Sequence, residues 1–260
     1  MDVPAILDVF LTFMLGMPRI LAIFAMVPIF TRNVLPGSIR NGVAIALLIF
    51  VYPTYSGSID LDNLSNLDFL LLVFKELVVG IFIGFILGAI FYAAESMGFV
   101  IDNQRGSTMA SSVDPMTGSQ TSPLGILMIQ LLTIYVFASG AIFVIILAIY
   151  ESYVSIPVHT FLPPLNMAGA QTFLGVIDRV MALALLLAAP AMIAMFLSEF
   201  ALGLVSRFAP TLNVFFLSMP VKSAVGMLVL LLILTAIFSI WDETISLLPT
   251  EIEALRRILQ

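Results

Sequence analysis

The chain has 260 residues, of which 61% are hydrophobic and only 10% are charged, and its mean hydropathy is +1.16. Soluble domains carry about a quarter charged residues, so the composition excludes an ordinary soluble protein and predicts an integral membrane protein. The net charge of −6 is spread over short segments without a basic face, which argues against nucleic acid as a partner. Without cysteine, the chain has no disulfide framework and no thiolate ligand for a metal.

Five long apolar stretches predict membrane-spanning helices, because each exceeds the ~20 residues that cross the hydrocarbon. They are Pro4–Phe30, Phe69–Ala93, Leu124–Tyr150, Thr172–Leu197 and Val214–Trp241. A sixth stretch, Val43–Tyr52, would reach only about 15 Å as a helix, which favours a half-helix or the second arm of a hairpin. The sequence therefore predicts an all-α, multi-helix membrane fold of about six apolar segments. Prolines within or beside these segments predict kinked helices: Pro18, Pro28, Pro190 and Pro220.

The arginines favour one orientation of these segments. Between the apolar segments, arginine occurs only in the first, third and fifth connections, at Arg32, Arg40, Arg105 and Arg207. The positive-inside rule places these connections in the cytoplasm with the N-terminus outside. Arg256 and Arg257 near the C-terminus do not fit that scheme.

Three glycines in register mark the second long segment. Gly80, Gly84 and Gly88 fall four residues apart, so they share one stripe of a helix. Small residues at this spacing allow a neighbouring helix to approach closely. The pattern predicts a helix-packing surface, within the chain or against a partner subunit.

Several ionisable residues fall within or beside the apolar segments. A charge at a helix centre costs at least ~2.5 kcal/mol on insertion scales, so such residues should face protein, water or one another. We expect ion pairs within the chain or between subunits for Arg19, Lys75, Glu76, Glu199, Arg207 and Lys222. For the adjacent Lys75 and Glu76, near the start of their segment, snorkelling to the membrane interface is the alternative.

One long polar segment, residues 102–122, interrupts this apolar sequence. It contains the helix-breaking residues Gly106, Pro115 and Gly118, and it is rich in serine and threonine. Irregular backbone at membrane depth is tolerated only inside protein or along a water-filled cavity. The polar segment is therefore either an ordinary solvent-side connection or the lining of a pore.

The sequence offers little for catalysis. His159 is the only histidine, so a histidine-based metal cluster is not expected, and no phosphate-binding glycine loop is present. The serines of the polar segment have only Asp102 or Asp114 as a nearby base. We expect no enzyme activity and no cofactor.

Two sequence blocks resemble one family. Residues 101–108, Ile-Asp-Asn-Gln-Arg-Gly-Ser-Thr, with residues 111–115, Ser-Ser-Val-Asp-Pro, look like the signature loop of the type III secretion export-apparatus family, which comprises injectisome SctT (SpaR, YscT or HrcT type) and flagellar FliR. Residues 197–215, extended by residues 220–223, are similar to the family's stretch between its last two long apolar segments. The resemblance covers nearly the whole chain, and the Asp-Asn-Gln-Arg-Gly form favours the injectisome branch.

The resemblance implies a subunit of an export gate through which unfolded proteins cross the bacterial inner membrane. The family's protein is expected as one copy beside several SctR/FliP-like and SctS/FliQ-like subunits, with an SctU/FlhB-like switch protein as a further partner. The assembled core is expected to be raised towards the periplasm. Residues 1–165 would correspond to the SctR/FliP-like part and residues 166–260 to an SctS/FliQ-like hairpin.

In that scheme the polar segment would plug the channel at rest. The plug residues that the resemblance implies are Asp102, Asn103, Gln104, Arg105, Gly106, Ser107, Thr108, Met109, Ser111, Ser112, Asp114, Pro115 and Met116.

Other functions stay open at this stage. A flagellar FliR paralogue would have the same role. A secondary transporter or small-solute channel predicts internal repeats and a midplane site between broken helices, and the sequence shows no convincing repeat. A membrane-embedded enzyme is a third alternative, which the lack of catalytic clusters opposes.

Overall fold

A computed structural model describes residues 3–31, 34–57, 65–106, 122–160, 167–209 and 213–259. Within these residues, helices are the only regular secondary structure, which confirms the predicted all-α fold. The helices are α1 (Val3–Met26), α2 (Gly37–Val51), α3 (Asn66–Gln104), α4 (Pro123–Ala138), α5 (Ile142–Ser155), α6 (Met167–Phe208) and α7 (Val214–Leu259). Short 3-10 helices, Pro28–Phe30 and Tyr52–Thr54, follow α1 and α2.

In the part of the chain that the structure describes, five helical stretches are long and apolar enough to cross a membrane. They are Val9–Met26, Gly37–Thr54, Asn66–Gln104, Leu174–Phe208 and Phe216–Leu248. Helices α4 and α5 together form a sixth span if the bent pair is taken as one. The chain is therefore a multi-pass membrane protein with the predicted number of apolar segments.

Helix α2 is longer than the expected half-helix, whereas the alternative, the second arm of a hairpin, is compatible with its length. It begins at Gly37, so its polar first turn is helical as well, and the 3-10 turn at Tyr52–Thr54 extends it. The resulting stretch of 18 residues reaches about 27 Å, which is close to the thickness of the hydrocarbon. The length of an apolar run underestimates the length of a helix whose first turn is polar.

The stretch Leu124–Tyr150, predicted as one continuous helix, is broken near its middle. Helices α4 and α5 meet at an angle of 82°, and Gly140 between them has a φ of +77°. A residue with a Cβ is strained in that left-handed region, whereas glycine is not. The break therefore lies at a glycine rather than at a proline.

The chain divides into two compact units. The first comprises Met1–Ala89, Val136–Val176 and Ile245–Gln260, and the second comprises Ile90–Tyr135 and Ile177–Thr244. Each unit draws on separate parts of the sequence. The predicted correspondence of residues 1–165 and 166–260 to two partner proteins is a different division and stays a prediction.

In the first unit, α1 packs directly against α3. A Cβ added at Gly80 would lie 2.6 Å from the Arg19 carbonyl oxygen, and one added at Gly84 would lie 2.9 Å from the Ile23 Cα. These distances are shorter than real Cβ contacts, so the two glycines place the helix backbones in contact. Gly88 is buried on the same stripe. The core around this contact includes the fully buried side chains Leu15, Ile20, Ile23, Phe24 and Leu48.

In the second unit, α4, α6 and α7 contribute the core. Leu132, Ala188 and Met195 are fully buried, and Tyr135 stacks on Phe238 with the ring centroids 5.3 Å apart. The opposite faces of the long helices carry exposed apolar side chains, and only 17% of an apolar 18-residue stretch within Phe216–Leu248 is buried. Such faces suit contact with lipid or with another subunit.

Gly84→Ala should lower the stability of the chain, because its Cβ would collide with α1 at Ile23 and Met26. Overpacking of this kind costs about 1–3 kcal/mol. The matched control is Gly203→Ala in α6, where an added Cβ meets nothing within 4 Å and the higher helix propensity of alanine is the main effect. Thermal unfolding of both variants in detergent checks this, and a Gly84→Ala protein as stable as the control would contradict the packing role.

Candidate functional site

Both ends of the polar segment meet at one buried carboxylate. Asp102, in the last turn of α3, is completely buried. Its Oδ2 accepts a hydrogen bond from the Ser122 hydroxyl at 2.6 Å and another from the Leu124 backbone N–H at 3.0 Å. The end of α3 and the start of α4 are therefore joined directly, across the intervening residues of the polar segment.

Ser122 completes this connection by capping α4. Its Oγ accepts a hydrogen bond from the Gly125 backbone N–H at 2.9 Å, which satisfies one of the N–H groups that a helix N-terminus leaves without a partner. The Asp102 carboxylate lies at the same helix terminus, where the helix dipole stabilises a negative charge. A single hydroxyl thus links the carboxylate to the first turn of α4.

Arg105 neutralises the carboxylate and extends the network to α7. Its guanidinium lies 2.6 Å from Asp102 Oδ1, and its other terminal nitrogen donates to Ser223 Oγ at 3.4 Å. Ser223 belongs to the second of the two family-like sequence blocks, whereas Asp102 and Arg105 belong to the first. The two blocks are far apart in the sequence and meet at this contact.

Two glycines bring α3 and α4 into backbone contact beside the carboxylate. A Cβ at Gly98 would lie 2.5 Å from the Gly125 Cα, and one at Gly125 would lie 3.0 Å from the Glu95 carbonyl oxygen. Any side chain at Gly98 would push the helices apart. We call the group Gly98, Asp102, Arg105, Ser122 and Gly125 the neck.

The chain leaves α3 at a glycine in the left-handed region. Gly106 has a φ of +81°, and its N–H donates to the Asn103 carbonyl at 3.1 Å, as at many helix C-termini. Asn103 is exposed and Gln104 is half-buried in the last turn of α3. The other predicted plug residues lie outside the described residues: Ser107, Thr108, Met109, Ser111, Ser112, Asp114, Pro115 and Met116.

A second polar group, which we call the buried ion cluster, lies in the first unit and consists of Arg19, Lys75 and Glu76. All three side chains are at most 1% exposed. The Arg19 guanidinium binds the Glu76 carboxylate through two hydrogen bonds of 2.7 and 2.8 Å, and Lys75 Nζ lies 2.5 Å from Glu76 Oε1. Snorkelling to the interface does not describe Lys75 and Glu76 in this structure.

The two cations of the cluster also bind the C-terminus of α5. Arg19 donates to the carbonyls of Ser152 and Ile156 at 2.7 and 2.8 Å. Lys75 donates to the carbonyls of Pro157 and Val158 at 2.9 and 3.1 Å. The Ser152 carbonyl also accepts the Ile156 N–H of the last turn, whereas the carbonyls of Ile156, Pro157 and Val158 lie beyond the end of α5. The negative end of the helix dipole favours cations there. The four carbonyls offset the excess of two cations over one anion.

Aromatic rings surround the cluster. The Arg19 guanidinium lies 4.2 Å from the centroid of the Tyr153 ring, a distance typical of a cation–π contact, and the Tyr153 hydroxyl donates to the Gly16 carbonyl at 2.6 Å. Tyr55 stacks on Tyr153. Burial, together with the charge of Glu76, raises the pKa of the Tyr55 hydroxyl, so this group stays neutral.

The remaining predicted charges are more exposed. Lys222 Nζ lies 3.1 Å from Glu199 Oε2, with the side chains 10% and 48% exposed, so we expect this pair to contribute at most about 1 kcal/mol. Arg207 is exposed at the end of α6, and it forms no ion pair within the described ranges. Among those residues, no group of three or more His, Asp or Glu side chains is placed to hold a metal.

Sequence reasoning found all three side chains of the buried ion cluster but only Asp102 and Arg105 of the neck. Ser122, Gly98 and Gly125 were not singled out, although two glycines and a serine that flank a polar segment are a weak signal of a close helix crossing. The carbonyl partners of Arg19 and Lys75 have no sequence signal, because every residue carries a carbonyl. The Arg105–Ser223 contact has none either.

Comparisons with known proteins agree on one family. Residues 10–248 match the family described as bacterial export proteins, family 1. The chain is 39% identical to the Yop proteins translocation protein T of Yersinia pestis over 96% of both chains. It is 32% identical to the surface presentation of antigens protein SpaR of Salmonella typhimurium, covering 84% of this chain and 81% of SpaR. It is 30% identical to the flagellar biosynthetic protein FliR of Bacillus subtilis, covering 98% of this chain and 97% of FliR.

Glu76→Gln should destabilise the chain much more than Lys75→Met. The first change leaves two cations buried without an anion, and breaking a buried ion pair in this way costs about 3–5 kcal/mol. The second leaves the Arg19–Glu76 pair intact and exposes no new charge, so its main cost is the lost donor to two carbonyls, about 1–3 kcal/mol.

Denaturant unfolding of both variants of the full chain in detergent measures the difference. An equal or larger loss for Lys75→Met would show that Glu76 is not the residue that balances the cluster.

Proposed function

The chain belongs to the family of bacterial export proteins, family 1, and we propose that it is a core subunit of a type III secretion export gate. It acts without catalysis in the inner membrane of a bacterium, where it helps to form the channel through which unfolded proteins are exported. The names of the similar proteins support this proposal, since they describe translocation of Yop proteins, surface presentation of antigens and flagellar biosynthesis. The higher identity to the Yop translocation protein than to FliR favours the injectisome branch.

The partners follow from the same proposal. The chain assembles with several SctR/FliP-like and SctS/FliQ-like subunits and contacts an SctU/FlhB-like switch protein. The apolar faces of α6 and α7, which the chain itself leaves exposed, are available for such neighbours as well as for lipid. Unfolded secreted proteins pass through the assembled channel, and no nucleic acid or cofactor takes part.

Within this gate the polar segment, residues 102–122, plugs the channel at rest. The observation that carries this assignment is the neck. Asp102 and Ser122, the first and last residues of the segment, are 2.6 Å apart at the hydrogen bond that joins them. The end of α3 and the start of α4 therefore lie at one point. A loop tethered in this way can enter a channel without separating the helices that carry it.

The composition of the segment suits a plug that a passing chain displaces. Serine, threonine, glycine and proline predominate, and such a sequence has little apolar surface to pack. Elements that gate access come from the parts of a protein with low local stability. Met109 and Met116 add flexible, polarizable side chains that conform to varied neighbours. The seal is then strong enough to retain ions but can be displaced at small free-energy cost.

Removing Ser107–Ser112 should loosen the seal without preventing assembly, because the neck at Asp102 and Ser122 is retained. Cells that express this variant with the other core subunits should leak small ions at rest, and cells that lack those subunits should not. Conductance across the inner membrane and the yield of purified complex are the two measurements.

The matched control removes six residues, Ser58–Asn63, from another polar connection of the chain. This variant should not leak. Assembly, persistent secretion and wild-type conductance in the Ser107–Ser112 deletion would contradict the plug, and equal leaks from both deletions would point to general damage.

A further inference from the structure

The Asp102 carboxylate lies in an apolar environment, where a charge is costly unless it has a partner. It is completely buried at the end of a helix that is apolar enough to span the membrane. Its partners are the Arg105 guanidinium, the Ser122 hydroxyl and the Leu124 N–H. Separating α3 from α4 would remove the last two and leave an incompletely satisfied anion in a medium of low polarity. The interactions of the Asp102 carboxylate therefore stabilise the contact between α3 and α4 at the neck.

Backbone packing holds the neck closed independently. Gly98 leaves no space for a Cβ between α3 and α4, and a Cβ at Gly125 would lie only 3.0 Å from the Glu95 carbonyl oxygen. Contacts of this kind are lost as soon as the helices move apart, because the attraction between close-packed atoms falls steeply with distance. The Asp102 charge and the two glycines therefore both stabilise the contact between α3 and α4.

The neck also fixes where the chain leaves α3. Arg105 is held both by Asp102 and by Ser223 of α7. Gly106 follows in the left-handed region, with the Met219 side chain as its neighbour. Helices α3, α4 and α7 of the second unit therefore determine the position and direction of both ends of the polar segment.

We propose that Asp102 and Ser122 are positioning residues of the export gate, which join the end of α3 to the start of α4 and so fix the two points at which the polar segment is attached. This inference rests on the proposed plug function and goes beyond it, because it assigns a role to the two attachment points. The geometry of this anchor sets how well the channel is sealed at rest.

The test uses the full chain in the assembled export complex. Asp102→Asn and Ser122→Ala should each raise the resting ion leak by about tenfold, since the loss of one hydrogen bond to a charged group shifts a two-state equilibrium by that order. Ser122→Thr retains the hydroxyl that donates to Asp102 and caps α4, so it should restore most of the seal. The yield of complex is measured for every variant.

A purely structural role would lower the yield of complex, and secretion with it, and would leave the leak per complex unchanged. That outcome overturns the proposal, as does a Ser122→Thr variant that leaks as much as Ser122→Ala.

A double-mutant comparison separates the anchor from the plug. Asp102→Asn is combined with the Ser107–Ser112 deletion, and the leak per complex is compared with that of each single variant. If Asp102 acts by positioning the segment, its effect should largely disappear once the segment is shortened. If the leak of the double variant equals the product of the two single effects, Asp102 does not act through the polar segment.

The two proposals fail in different ways. If the deletion alone causes no leak, the plug assignment is wrong and the anchor loses its basis. If the deletion leaks but the Asp102 and Ser122 variants seal normally, the plug stands and only the positioning role is wrong.

Discussion

A charge buried in an apolar protein needs a partner in fixed geometry, and this requirement organises both units of the chain. In the first unit, two cations bind a carboxylate and the C-terminal carbonyls of α5. In the second, a carboxylate binds a cation and the N-terminus of α4. Arg19, Lys75 and Asp102 thus each meet a helix end of opposite sign, where several backbone groups lack partners within the helix. The same contact therefore neutralises a buried charge and satisfies backbone groups, which have no water to bind in the membrane interior.

Glycine makes these contacts possible, because the side chains involved are of limited reach. The Asp102 carboxylate extends only two bonds beyond its Cα, yet it binds the first turn of the next helix. It does so because Gly98 and Gly125 place the two backbones in contact. Gly80 and Gly84 likewise bring α3 against α1, on which Arg19 lies. Close packing and charge pairing are therefore coupled, and a larger residue at either crossing would weaken both.

Hydropathy was enough to predict the fold class and the number of spans, because a span is defined by its length and apolar character. Hydropathy did not predict the break between α4 and α5. Gly140 lies in an apolar run, and other glycines in apolar runs of this chain, such as Gly80 and Gly84, are helical. The ionisable residues of the buried ion cluster were apparent as costly charges, but their partners were not. Backbone carbonyls such as those of Ser152 and Val158 become partners only through the fold.

The contact between Arg105 and Ser223 gives a physical reason for two distant blocks of family-like sequence to occur together. Residues that touch across 118 positions of sequence constrain each other, although neither block predicts the other by its own pattern. The first block also contains residues of two kinds. Asp102 and Arg105 are held in a buried network at a helix end, whereas Ser107, Thr108, Ser111 and Ser112 of the same block are uncharged. The attachment of the polar segment at Asp102 therefore depends on α7 as much as on the two helices that it joins.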